Sequence, residues 1–268
     1  MEVFELFHYG FFRNAFFAAL LMSLTCGMIG TYIVTRRMVF ISGGITHASF
    51  GGVGLGYFLG IPPLAGAAVF AVIAALTTEN LTRRKILRND SVIAITWSLG
   101  MAIGIIFVYL TPGYAPNLMS FLFGSIITVT STDLVLMGIL TLATGMFFMT
   151  FFRTILYISF DEQFARTRGI PVMRMNYLLI ILVALTIVLS IRIAGIILVL
   201  SLLTVPQNTA NLFTNTFGKI VIGSIIIGLL ASIIGLYLSY LLNIPSGATI
   251  IFTLVVMYLL GRVIKFVL

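Results

Sequence analysis

Charged residues are scarce in this sequence, and their scarcity excludes most soluble classes of protein. Of the 268 residues, 8% are charged and 60% are hydrophobic, and the mean hydropathy is +1.20. A soluble domain of this size usually carries about 25% charged residues. The composition therefore predicts a polytopic membrane protein.

Cysteine and acidic residues are also rare. The single cysteine, Cys26, excludes an internal disulfide and a cysteine-cluster metal site. None of the seven acidic residues falls in the middle of an apolar run, whereas the proton relays of secondary transporters use acids inside the membrane. The sequence therefore argues against a proton relay of that kind.

Nine apolar runs approach the roughly 20 residues that a transmembrane helix needs. The glycine-rich second run and the seventh, which ends in a segment broken by proline, are the least regular of them. The pattern predicts an all-α fold: a membrane helical bundle of about nine spans, forming one transmembrane domain over residues 1–268. We predict these spans at Asn14–Thr35, Ile41–Gly60, Pro62–Leu81, Val92–Leu110, Asp133–Phe152, Met175–Ile191, Ile193–Ala210, Ile220–Leu242 and Ala248–Val267.

The basic residues predict the topology. With nine spans, 13 of the 15 Lys and Arg residues fall on one side, leaving only Arg13 and Arg192 on the other. The positive-inside rule then places the N-terminus outside and the C-terminus in the cytoplasm. The loop Thr111–Asn117 is extracytoplasmic in this arrangement. The same distribution accounts for the net charge of +8 without a nucleic acid partner. The acidic N-terminus lacks the basic region of a cleaved signal peptide, so we expect the first run to be retained.

The stretch Ser42–Gly60 carries the most distinctive pattern. A histidine, His47, adjoins a ridge of small residues, which allows close helix packing in membranes. An imidazole at membrane depth needs a partner, water or a ligand, so His47 is either a metal ligand or a packing residue. The neighbouring Thr46 and Ser49 either line a pathway as weak oxygen donors or bond to the backbone, and we favour the second. The ridge repeats every four residues, at Ala48, Gly52, Gly56 and Gly60.

The loop Tyr157–Met173 differs from a plain connector. Asp161 and Glu162 open a short helical pattern, where acids complement the helix dipole. Gly169, followed by Pro171, ends that pattern. The residues predict a short capped helix on the cytoplasmic side, which is either a docking element for a soluble partner or a helix lying in the lipid headgroups.

Four stretches, in order along nearly the whole chain, resemble a known family. FDEQFARTRGIPV resembles the cytoplasmic coupling segment in permeases of bacterial zinc, manganese and iron ATP-binding-cassette importers. GGITHASFGGVGLGY is similar to the glycine-rich second helix of that family. RIAGIILVLSLLTVPQNTANLFT and IPSGATIIFTLVVMYLL resemble two of its later segments.

The resemblance implies a fold and a set of partners. The fold is a bundle like that of the vitamin B12 importer permeases, in which a second permease subunit, expected to be an identical copy, completes a central pathway. An extracytoplasmic solute-binding protein delivers the ion. Cytoplasmic ATP-binding subunits dock on the coupling segment, residues 157–173. The ATPase-coupling residues are then Phe160, Asp161, Glu162, Phe164, Ala165 and Gly169.

Several consequences for chemistry and location accompany this resemblance. The sequence has no GxxxxGK[ST] phosphate-binding loop, so nucleotide chemistry must lie on another polypeptide. We therefore expect neither catalysis by this chain nor a cofactor. We expect it in the bacterial plasma (inner) membrane as a multi-pass protein surrounded by lipid.

His47 matches the histidine of the family's second helix, but one expected ligand is missing. The family carries an aspartate four residues before the histidine, which puts carboxylate and imidazole on one helical face and suits a borderline divalent ion. Here that position is Gly43. Either His47 acts with its copy in a second subunit, or the ion passes with little direct coordination. Gln207 and Asn208 either line the exit or satisfy backbone groups freed by Pro206, and we slightly favour the second.

Together these features predict the permease of an ATP-driven importer for divalent transition metals, working by alternating access. We expect zinc first, then manganese or iron. A self-sufficient secondary transporter or channel is the first alternative, which would be expected to carry intramembrane charges or an inverted repeat. A vitamin- or siderophore-type permease is the second, and it needs a wider pathway.

Overall fold

The structure, a computed structural model, describes residues 9–84, 88–112 and 126–267, and in these ranges all regular elements are helical. The predicted all-α fold is confirmed. A single turn of 3₁₀-helix, Ile126–Thr128, precedes α5. The ten α-helices of the described ranges are α1 Gly10–Thr35, α2 Val39–Leu59, α3 Pro63–Arg83, α4 Asn89–Leu110, α5 Ser131–Phe160, α6 Glu162–Thr167, α7 Val172–Leu202, α8 Val205–Phe213, α9 Phe217–Leu242 and α10 Ser246–Val267.

Seven stretches of the described chain are long and apolar enough to cross a membrane. They are α1, α3, α4 from Asp90 onwards, α5, the run Val172–Phe213 formed by α7 and α8, α9 and α10. The glycine-rich α2 has 21 residues, enough to span, but its many glycine and polar residues lower its hydropathy. The prediction of about nine spans agrees with this set when α2 is added and the α7–α8 run is counted as two.

The boundary between the sixth and seventh predicted spans lies at a different residue in the structure. The sequence places their boundary near Arg192, but the helix continues through that point and breaks at Gly195, whose φ is +78° and ψ is 166°. Residues with a Cβ atom are strained in this backbone conformation, whereas glycine adopts it readily. After Leu202 the chain turns, and α8 begins with Pro206 in its first turn, a position where a missing N–H does no harm.

The chain divides into two compact units, each assembled from separate stretches of sequence. One unit contains the described residues of Met1–Thr35, Met119–Phe152 and Ser190–Leu268, and the other those of Arg36–Leu118 and Arg153–Leu189. In the first unit, α9 packs against α1, α8 and α10. A Cβ atom added to Gly235 of α9 would lie 2.6 Å from the Cα of Ile250 in α10, so the two backbones touch there.

In the second unit, α2 packs tightly between α3 and α4. A Cβ added to Gly52 would overlap the carbonyl of Gly66 in α3, and one added to Gly54 would overlap the carbonyl of Gly104 in α4. The predicted ridge of small residues is therefore a packing surface from Ala48 to Gly56. Its last member, Gly60, instead ends α2 in a left-handed conformation, with φ of +69°. The close fit fixes the position of the α2 backbone from which His47 projects.

Candidate functional site

His47 is half-buried on α2 and stacks face to face on Trp97 of α4. The two ring centroids are 4.1 Å apart and the ring planes differ by 7°. Trp97 is the only tryptophan in the sequence, and 42% of it is exposed. A neutral imidazole binds a metal through the in-plane lone pair of its unprotonated nitrogen. Because the indole stacks on the face of the ring, it leaves the coordinating edge of His47 uncovered. The structure thus gives His47 a packing partner without using its ligand atoms.

Open space adjoins Gly43, one turn before His47. A Cβ atom added there would meet no atom within 4 Å, and residues four apart share one face of a helix. The position at which the resembling family carries aspartate is therefore empty and sterically free. In the described part of the chain, no cluster of three or more His, Cys, Asp or Glu side chains is arranged to hold a metal ion.

The hydroxyls beside His47 bond to their own helix. Thr46 and Ser49 are fully buried. The Thr46 hydroxyl donates to the Ser42 carbonyl at 2.7 Å, and the Ser49 hydroxyl donates to the Thr46 carbonyl at 2.6 Å. Both residues therefore have the backbone role that the sequence favours.

The two predicted exit residues satisfy backbone groups around α8. The buried amide of Gln207 donates to the carbonyls of Cys26 at 2.8 Å and Leu202 at 3.0 Å. The exposed amide of Asn208 donates to the Thr204 carbonyl at 2.7 Å. These bonds engage carbonyls at the end of α7 and in the turn before α8, together with one in α1. This is the role that the sequence slightly favours for both residues.

The predicted short capped helix on the loop after α5 is confirmed as α6. Asp161 is its N-cap, because its carboxylate accepts hydrogen bonds from the backbone N–H groups of Gln163 at 2.8 Å and Phe164 at 3.0 Å. At the other end, Gly169 has φ of +73°. The N–H groups of Gly169 and Ile170 donate to the carbonyls of Arg166 and Ala165, which is a Schellman motif.

The aromatic side chains of this segment are exposed, whereas its alanine is buried. Phe160 is 64% exposed and Phe164 is 40% exposed, whereas Ala165 is fully buried. The Phe164 ring contacts Tyr157 edge to face at 5.5 Å, and the Arg168 guanidinium lies 5.2 Å from its centroid. The end of α5 and α6 thus present exposed aromatic side chains, with a cation beside that of Phe164.

Glu162 has a role that the sequence does not indicate. Its Oε1 accepts hydrogen bonds from Arg36 at 2.7 Å, Arg83 at 3.2 Å and Asn176 at 2.7 Å. We call these four residues the Glu162 cluster. Burial raises the pKa of Glu162, but the charges of Arg36 and Arg83 and the Asn176 amide lower it more, so that its pKa lies below the ordinary value. Two partners of Glu162 are far away in the sequence and the third, Asn176, is 14 residues later, so no local pattern predicts these contacts.

A family profile and individual relatives both match nearly the whole chain. The profile of the ABC 3 transport family matches residues 8–265. An uncharacterized membrane protein of Synechocystis is 41% identical, over 94% of this chain and 90% of its own. The manganese transport system membrane protein MntC of Halalkalibacterium halodurans is 33% identical, over 92% of this chain and 85% of its own.

A solved structure has the same fold. The structure described as PsaBC from Streptococcus pneumoniae in complex with Fab superposes with a TM-score of 0.86 and 31% sequence identity. The match covers 97% of this chain and 93% of the other. The sequence resemblance and the structural comparison thus lead to one family.

Proposed function

The chain belongs to the ABC 3 transport family, and from this premise we propose that it imports a divalent transition metal ion as the permease subunit of an ATP-driven transporter. The observation that carries the proposal is the match of that family over nearly the whole chain. Relatives at 33% and 32% identity are named for manganese transport and manganese import. The permease alternates access to the two sides of the membrane while partner subunits hydrolyse ATP.

We propose that His47 is the ion's side-chain contact on α2. The Trp97 indole does not cover its coordinating edge, and the open space at Gly43 on the same face leaves room for a partly hydrated ion. A pathway must hold its ion weakly enough to release it, and one imidazole with water meets that requirement. Thr46 and Ser49, whose hydroxyls bond to the helix backbone, support the position of His47 without contacting the ion.

Manganese is the substrate that the relatives' names favour, and zinc is the second candidate because of His47. Oxygen ligands suit manganese, whereas imidazole suits zinc. The empty Gly43 position removes the oxygen ligand that the resembling family carries and leaves the nitrogen ligand. Supplying each metal separately therefore decides between them.

The partners follow from the same assignment. One ATP-binding subunit docks on the exposed aromatic surface formed by Phe160, at the end of α5, and Phe164 of α6, and a second subunit docks on the same segment of the other permease. A solute-binding protein delivers the ion from outside, and a second permease subunit, a copy of this chain, completes the pathway in the bacterial plasma membrane. Gln207 and Asn208 hold the backbone around α8 in place.

Metal accumulation in cells that lack their own manganese and zinc importers tests the proposal. Cells expressing this chain with its ATP-binding and solute-binding partners are expected to accumulate manganese, and His47→Gln is expected to reduce this strongly. An ATP-binding subunit that cannot hydrolyse ATP is the control. Accumulation that persists with that inactive subunit contradicts the proposal and favours a channel or secondary transporter.

Docking has its own test, in which the ATP-binding subunit is copurified with the permease. Phe164→Asp is expected to abolish copurification, since it places a charge on the aromatic surface. Phe266→Asp is the matched control, because Phe266 is 92% exposed and lies near the end of α10, away from α6 in sequence. If both variants retain the subunit equally, α6 is not the docking element.

A further inference from the structure

We infer that Glu162 is the positioning residue through which movement of α6 reaches α2, the helix that carries His47. The inference rests on the proposed role of α6 as the docking element. It changes the role of Glu162 itself. The sequence places this residue with the surface that meets the ATP-binding subunit, whereas its carboxylate is already committed to partners within the chain.

One carboxylate oxygen collects most of the polar contacts. Oε1 of Glu162 accepts from two guanidinium groups and one amide, and Oε2 lies 4.0 Å from the guanidinium of Arg166. Hydrogen bonds in which both groups are charged are about twice as strong as neutral ones. The side chains of Glu162, Arg36 and Arg83 are 25%, 20% and 21% exposed, so water screens these charges only in part.

Each partner of Glu162 is itself held in place. Arg36 donates through its other terminal nitrogen to the Ile158 carbonyl at 3.0 Å. Arg83 pairs with Glu79 one turn earlier on α3, and Asn176 of α7 is 1% exposed. A lone exposed salt bridge contributes little because its side chains lose freedom when they pair. In the Glu162 cluster, other contacts have already restricted the partners.

Apolar contacts attach α6 only weakly to the rest of the chain. Of its six residues, only Ala165 is buried, and a methyl group buries little surface. The Glu162 cluster is therefore the main inward attachment of α6. A cavity of about 340 Å³, lined in part by Arg36, Arg37, Arg83 and Glu162, adjoins the cluster and gives these side chains room to move.

The cluster joins α6 to the ends of two helices that pack together. Arg36 lies in the three-residue turn between α1 and α2, where Arg37 adopts a left-handed φ of +56°. Arg83 is the last residue of α3. Because glycine contacts hold α2 against α3 and α4, a displacement at Arg36 moves α2 as a rigid body. His47 lies eight residues into α2, about 12 Å along its axis at 1.5 Å per residue.

The decisive experiment measures metal transported per ATP hydrolysed in the complete transporter reconstituted in lipid. Glu162→Gln keeps the size of the side chain and removes its charge. Glu162→Gln leaves Phe160 and Phe164 unchanged, so we expect ATP hydrolysis to persist. We expect the metal transported per ATP to fall by about tenfold. Asp90→Asn is the matched control, since it removes an exposed carboxylate at the start of α4, and it should leave the ratio unchanged.

A double-mutant cycle separates positioning from general stability. Arg36→Gln and Glu162→Gln should each lower the ratio, and the double variant should lower it no further than the single ones. Additive losses overturn the inference, and so does a Glu162→Gln protein with the parent's ratio. If Glu162→Gln fails to insert, Arg83→Gln takes its place in the cycle. Of the three bonds to Glu162 it removes only the longest, and it also removes the pair with Glu79 on α3.

A structural readout keeps this inference distinct from the proposed function. Amide hydrogen exchange in α6 of the purified permease should be faster in Glu162→Gln than in Asp90→Asn. Equal exchange rates in the two variants overturn the inference. If the parent permease neither stimulates ATP hydrolysis nor transports metal, the proposed function is overturned instead, whatever the exchange rates in α6.

Discussion

At the scale of single residues, the stacked pair His47 and Trp97 offers an optical test of metal binding. Trp97 is the only tryptophan in the sequence, so the intrinsic indole emission comes from one site in contact with the imidazole. A paramagnetic manganese ion bound at His47 lies close enough to quench that emission.

We expect manganese to lower Trp97 emission in the purified parent protein and to lose most of this effect in His47→Gln. The glutamine keeps roughly the size and some polarity of histidine but is a poor ligand, so the comparison separates ligation from packing. The measurement is a fluorescence titration with manganese, with magnesium as the metal control. Equal quenching in the two proteins shows that His47 is a packing residue.

The Glu162 carboxylate predicts how stability depends on pH. Burial raises its pKa, but the charges of Arg36 and Arg83 and the hydrogen bond from Asn176 together lower it more, so the pKa is below the ordinary value. For an acid with a lowered pKa, stabilisation is complete above the unfolded pKa, about 4.3 for Glu, and is lost as pH falls through the folded pKa. As the pH falls below that value, the melting temperature of the parent should therefore decrease more steeply than that of Glu162→Gln. Parallel curves contradict this prediction.

At the scale of the helices, two glycines of α2 have different surroundings, which predicts different effects of an alanine substitution on stability. A Cβ at Gly52 overlaps the Gly66 carbonyl of α3, whereas a Cβ at Gly43 meets nothing within 4 Å. Gly52→Ala should destabilise the protein by about 1–3 kcal/mol, as overpacking does. Gly43→Ala should leave the melting temperature near that of the parent. A similar loss in both variants means that α2 does not pack as described.

The helices also show which features the sequence alone reveals. The ends of α6 are predictable because Asp161 and Gly169 act on neighbouring backbone groups. The break in α7 at Gly195 lies inside a continuous apolar run, where hydropathy gives no signal. The partners of Glu162 are 126, 79 and 14 residues away in the sequence. Such contacts depend on tertiary packing, so the short capped helix is predictable whereas its attachment is not.

At the scale of the whole molecule, the topology is a prediction from the distribution of basic residues. The loop positions 114–117, which would be natural labelling sites, lie outside the described residues, but the exposed Pro112 just after α4 is described. The native Cys26 is 1% exposed, so it gives little background. With the N-terminus outside, α4 ends on the outer side.

Pro112→Cys should therefore react with a membrane-impermeant thiol reagent in intact cells. Arg166→Cys, on the exposed face of α6, should react only after permeabilisation. The measurement is labelling of each single variant before and after permeabilisation. The reverse pattern contradicts the nine-span topology and, with it, the predicted cytoplasmic position of α6.

The surroundings of the α2 glycines also bear on how metal preference can evolve in this lineage. Gly44, Gly51, Gly52, Gly54 and Gly56 all face a neighbour at less than 3.0 Å from an added Cβ, and only Gly43 has empty space. Random mutagenesis under selection for another metal should therefore recover changes on this helix chiefly at codon 43. An acidic residue there restores the spacing of the resembling family in one nucleotide change, since glycine and aspartate codons differ by a single base. An acidic side chain at position 43 is thus an accessible adaptive step, whereas the packed glycines of α2 are closed to larger side chains.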